Sequence, residues 1–145
     1  MIHLTIPLDP RTKKNSQNIF VNQKTGNRFI STSKAYKEYV NDCFFLFRET
    51  DEALKFPIDK PVNICAVFYM ASRRKVDLSN LLSCLDDILV AYGVIVDDNC
   101  TIVVGHDGSC VSYCKDDPRT EIFITESMQN VSMTPERKKL KEKME

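Results

Sequence analysis

The chain has 145 residues, with 20 basic and 20 acidic side chains, a formal net charge of +0 and 43% hydrophobic residues. That length and apolar content suit one domain with its own core, and the balanced charge leaves any nucleic-acid signal to local clusters of basic residues. No apolar run reaches the roughly 18 residues needed to span a bilayer, and the opening MIHLTIPLDP lacks the basic head and long apolar stretch of a secretory signal, so a cytoplasmic protein is expected.

Ile2, Leu4, Ile6 and Leu8 alternate with polar residues and Pro7, the period of a strand with one buried face, which makes His3 an ordinary strand side chain. The loop DPRTKKNSQN then gathers Arg11, Lys13 and Lys14 beside Asn15, Ser16, Gln17 and Asn18, and taken alone reads as solvated. Asn18–Val21 and Arg28–Ser31 flank QKTGN, whose Gly26 and Asn27 tolerate positive φ, a hairpin signal. Ser33 is placed to cap a helix in which Tyr36, Val40, Cys43, Phe44 and Phe47 recur at helical spacing, a core stripe rather than a base-stacking platform.

Pro57 and Pro61 bracket the entry to the clearest strand, with Val62, Ile64, Ala66, Phe68 and Met70 on one face. A helix follows from about Asp77 to Ala91 and is ended by Gly93, and Val94–Val96 carries the chain to Asp97 and Asp98. Thr101–Gly105 and Ser109–Cys114 read as strands joined by a tight turn at His106, Asp107 and Gly108, and Glu121–Thr125 as the last strand. Strands and helices are interspersed, so the expected class is α+β: one small domain over residues 1–126, a mixed sheet and two main helices. Residues 127–145 end in TPERKKLKEKME, a charged tail or short surface helix with little to bury. Cys43, Cys65, Cys84, Cys100, Cys110 and Cys114 stand in for apolar residues without any CxxC pair, which favours buried thiols in a reducing compartment over disulfides or a zinc site.

The segment RRKVDLSNLLSCLDDILVAYGVIVDDN carries the chemistry. At about 100° per residue, Asn80, Ser83 and Asp87 form a polar stripe with Asp77 at its upper edge, and Leu78, Leu82, Leu85 and Leu89 face the core. Asp86 lies off the stripe's centre. Singly, Asp77 reads as a helix cap, Asp86 and Asp87 as a solvated face, and Asp97-Asp98-Asn99 as a turn. Together they leave acid clusters at both ends of one helix-and-return unit, directly after Arg73, Arg74 and Lys75. Converging carboxylates repel, and a divalent cation such as Mg²⁺, with its preference for hard oxygen donors, offsets the repulsion. A cation so held assists in-line attack on a phosphodiester while the basic residues grip the phosphates.

With these residues in place, the segment resembles the RusA family of Holliday-junction resolvases. In that family a basic run leads into Asp-Leu-Asp-Asn-Leu, with a Lys four residues after the second Asp, a later helical Asp and a following Asp-Asp pair. Asp77, Leu78, Asn80, Leu81, Asp87, Asp97 and Asp98 fall on that pattern; Ser79 stands at the second acid and Ser83 at the Lys. The resemblance implies a homodimeric, Mg²⁺-dependent endonuclease (Mn²⁺ substituting) that cuts four-way and other branched DNA in a bacterial or phage-infected cell. It marks Asp77, Asp98, Asp97 and Asn80 as catalytic, Asp77, Asp98, Asp97 and Asp87 as metal ligands, and Lys13, Lys14, Asn15, Arg73, Arg74 and Lys75 as the DNA contacts. His106 and Asp107 are read as turn residues, the alternative being that they supply a missing polar group. Two other readings stay open: a junction-binding protein that has lost its chemistry through Ser79 and Ser83, and a hydrolase of small phosphorylated compounds.

Overall fold

A computed structural model describes residues 1–13, 17–32, 34–50, 53 and 55–128. Its axis is β4 (Val62–Met70), whose alternating Val62, Ile64, Ala66, Phe68 and Met70 are all buried, as a period of two requires. β7 (Arg119–Glu126) pairs antiparallel with one edge of β4, and β1 (Ile2–Ile6) pairs antiparallel with β7, so the chain's beginning and the last described strand are neighbours. The other edge of β4 carries β5 (Val103–Gly105) and β6 (Cys110–Tyr113), both parallel to it, which makes the sheet mixed. β2 (Gln17–Val21) and β3 (Arg28–Thr32) form a separate hairpin turned at Gly26, whose φ of 72° is the left-handed conformation expected there.

The segment between β5 and β6 departs from the expected turn between successive strands. Val62 faces Val103 and Val67 faces Cys110, so β5 and β6 lie end to end along one edge and the chain does not reverse. His106, Asp107 and Gly108 bulge outward instead, closed by Ser109 N–H donating to the His106 carbonyl at 3.1 Å, with Gly108 at φ 88°. The Ser109 hydroxyl accepts from Ala66 N–H at 3.0 Å and Asn63 brackets the Asp107 backbone, filling the positions a continuous strand would have occupied. A short turn signal between two apolar runs does not distinguish a reversal from an interruption.

The helices α1 (Lys34–Arg48) and α2 (Leu78–Ala91) contribute to one core with the buried face of the sheet. On α1, Tyr36, Cys43 and Phe47 are buried as the stripe implies, and Tyr39 joins them. Burial raises the Cys43 thiol to about 12 and pushes the Tyr39 hydroxyl up as well. On α2, Leu81, Leu85, Ile88 and Leu89 are buried, and Gly93 at φ 72° turns the chain back so that Val94 N–H reaches the Leu89 carbonyl at 2.8 Å. Ile95 then bridges Ile58, and Tyr92 donates to the Val40 carbonyl at 2.6 Å, tying the end of α2 to α1.

All six cysteines are free, but only Cys43 and Cys84 are buried, and Cys100 and Cys110 are exposed. The expectation of buried thiols therefore fails for those two, which occupy a turn and an edge strand. Ser33 and the tail from residue 129 lie outside the described residues.

Candidate active site

Asp77 occupies the N-cap position of α2 but makes no side-chain cap bond. Its Oδ2 instead accepts from Asn80 Nδ2 at 3.1 Å, one helical turn on, and the carboxylate is exposed. The capping explanation for this acid therefore does not hold. Arg73, Arg74 and Lys75, immediately before it, are exposed too, and the Arg73 guanidinium lies 4.2 Å from the centre of the Tyr113 ring.

The second acid group lies toward the other end of α2. Ten residues of helix separate Asp87 from Asp77, about 15 Å of rise, so those two carboxylates sit at different levels of the helix. The return segment brings Asp98 within electrostatic reach of α2: its carboxyl is held above the usual range by partial desolvation, then by its hydrogen bond with Asp97 and the charges of Asp87 and Asp86. Asp97 behaves oppositely. Its Oδ2 accepts from Asn99 Nδ2 at 2.8 Å and its Oδ1 from Asp98 N–H at 2.8 Å, which lowers its pKa and makes it the organiser of the turn that presents Asp98.

Asp86 is the residue the pattern undervalued. It is only 9% exposed, not a solvated helix position, and its Oδ2 lies 2.9 Å from His106 Nε2. His106 Nδ1 donates to the Ile64 carbonyl at 2.9 Å, so a doubly protonated ring satisfies both neighbours. The hydrogen bond to Asp86 is the main reason the His106 pKa is raised, partly offset by desolvation. Asp86 Oδ1 is buried with no hydrogen-bond partner among the described residues. A helical angle about 100° from Asp87 was the available signal; what it lacked was His106, which only the bulge between β5 and β6 brings across. Asp107 engages Asn63 through its backbone, and its side chain is exposed.

Ser79 and Ser83 are exposed on α2. Lys13 is exposed and its backbone N–H donates to Cys84 Sγ at 3.2 Å, which fixes the basic loop to α2. Lys14 and Asn15 lie outside the described residues. Among the described residues no three His, Cys, Asp or Glu side chains are grouped as a metal shell.

A model of the family described as Endodeoxyribonuclease RusA matches residues 7–125. The chain belongs to the RusA family. It is thus a member of a family of junction-resolving nucleases that are generally metal-dependent and act on branched DNA. The match begins directly after β1 and ends within β7, so it spans both acid groups, the basic run and the bulge. No curated protein matches this chain. No helix of this RusA-family protein, among the described residues, is long and apolar enough to cross a membrane.

Proposed function

We propose that the protein is a Mg²⁺-dependent, structure-selective endodeoxyribonuclease that acts as a homodimer on four-way junctions. The observation that carries this reading is the return segment that brings Asp98 within electrostatic reach of Asp87 and Asp86 on α2, in a chain that the RusA family model matches over residues 7–125. The donor set suits a hard divalent cation: exposed carboxylates on Asp87 and Asp98, and an unmatched buried oxygen on Asp86. Asp98 and Asp87 would hold it, with Asp97 fixing the turn that presents Asp98, while Asp77 lies about 15 Å along the helix from Asp87 and would meet the DNA beside the basic run. When bound, such a cation supplies Lewis-acid stabilisation of the charge that builds on the phosphodiester.

The chain's own groups do the rest. Asp97 fixes the backbone of Asp98 and so the direction of its carboxylate. Asn80 orients Asp77. Arg73, Arg74, Lys75 and Lys13, with Lys14 and Asn15 beside them in sequence, contact phosphates without reading bases.

The second reading is a RusA-like protein that binds junctions but does not cut them, favoured by the exposed hydroxyls of Ser79 and Ser83 where the family carries an acid and a lysine. Incubating labelled four-way junction and linear duplex with the protein and Mg²⁺ or Mn²⁺ separates the readings. Cleavage confined to the junction supports the enzyme, retention without cleavage supports the binding protein, and indifference to the junction overturns both.

A further inference from the structure

β6 is exposed along its whole length, and Tyr113 at its end is 37% exposed, so one face of its ring is open to a ligand. Arg73 reaches across from the segment before α2 to cover the ring at 4.2 Å, close enough for a cation–π contact that orders the guanidinium. Around this pair lies a shallow concavity of about 480 Å³ whose lining also includes Arg74 and Val111.

We propose that this concavity binds an unstacked nucleotide of branched DNA, its base lying against the planar surface formed by Arg73 and Tyr113 and its phosphate held by Arg74. The inference rests on the reading that the protein binds junctions, and it adds how a duplex arm is told from a branch point. Within a duplex both faces of every base are covered by neighbours, and freeing one costs a few kcal/mol. At a branch point opened by the protein, the terminal base pair of each arm has a neighbour on one face alone, so freeing a base there costs less. Aromatic rings and guanidinium planes accept any base, so the site reads shape and not sequence. Arg74, also in the lining, supplies the charge complementary to the phosphate beside that base.

The test compares wild type with Tyr113→Leu, Tyr113→Phe and Arg73→Lys, all surface changes whose folding is verified by circular dichroism. The probes are a four-way junction carrying 2-aminopurine at the branch point and a linear duplex of the same sequence. Wild type should change the 2-aminopurine fluorescence. Tyr113→Leu should lose that change and reduce the preference for junction over duplex by at least about fivefold, the lower end of what stacking one base contributes, with duplex affinity unaltered. Arg73→Lys keeps the charge but not the plane and should also lose the 2-aminopurine change, while Tyr113→Phe should match wild type. If Tyr113→Leu weakens junction and duplex equally, or alters neither, the site does not bind a base and the proposal fails. Wild-type protein that shows no preference for junctions overturns the functional reading itself, a result visible before any variant is made.

Discussion

At the scale of single residues, the acids differ in what holds them. Asp97 is committed to its turn by two hydrogen bonds, whereas Asp98 is pushed toward protonation by its surroundings and the Asp77 carboxylate engages Asn80. Asp77→Asn and Asp98→Asn nearly keep shape while removing charge, so each should reduce metal-dependent cleavage on the order of 10²-fold or more. Junction binding should stay intact or tighten, because negative charge facing the DNA has been removed. Asp98→Asn should also raise the Tm of the metal-free protein slightly, since the ionised group is the disfavoured form there, and should erase the stabilisation that Mn²⁺ gives wild type. Cleavage at wild-type rates by both variants would remove these residues from the site. Ser79 and Ser83 test the opposite direction. A hydroxyl cannot replace a carboxylate as a metal ligand or a lysine as a counter-charge, so Ser79→Asp with Ser83→Lys should increase the Mg²⁺-supported rate. An unchanged rate in a folded, junction-binding variant would mean that other residues already fill both roles.

At the scale of elements, what was legible followed from periodicity. β1, β4 and α2 announce themselves because their buried faces repeat every two residues or about every 3.6, and the acids of α2 could be placed on its circumference from sequence alone. Pairing was not legible: that β5 and β6 share one edge of β4, and that the bulge between them delivers His106 to Asp86, depends on residues distant in sequence meeting in space. The pair has a consequence for pH. The raised His106 pKa means that its imidazolium is favoured by folding, so the stabilisation is complete below the ordinary histidine value of about 6.5 and is lost as pH rises through the higher folded value. The groups facing the ring are Asp86 from α2 and the Ile64 carbonyl from β4, with Asp98 also within reach of Asp86's charge. Tm should therefore fall as pH rises above about 6.5, and Asp86→Asn should flatten that decline. His3, hydrogen-bonded to Glu121 in the β1–β7 pair, is untouched by the substitution, so an equal decline in the variant would assign the effect elsewhere.

For the molecule as a whole, a net charge of +0 means that the proposed affinity for DNA has to come from local basic groups and not from the overall field. Arg73→Ala with Arg74→Ala should accordingly weaken junction binding and make its salt dependence shallower, by about 0.9 in the logarithmic slope for each phosphate no longer neutralised. An unchanged slope would place both residues off the DNA path. The symmetry of the substrate then bears on the assembly. A four-way junction is resolved by two cuts in strands of like polarity, and this chain carries one set of candidate acids, so the proposed two-fold dimer would supply the second set in the matching orientation. Subunit mixing tests this directly. Wild type alone should linearise a plasmid carrying an extruded cruciform, because both cuts fall within the life of one complex. Wild type equilibrated with excess Asp98→Asn should mostly form dimers with one competent site, and these should leave plasmid nicked in one strand while total junction binding is preserved. If the mixture still yields linear product in proportion to the wild-type share, each chain makes both cuts on its own, and the dimer is not the cutting unit.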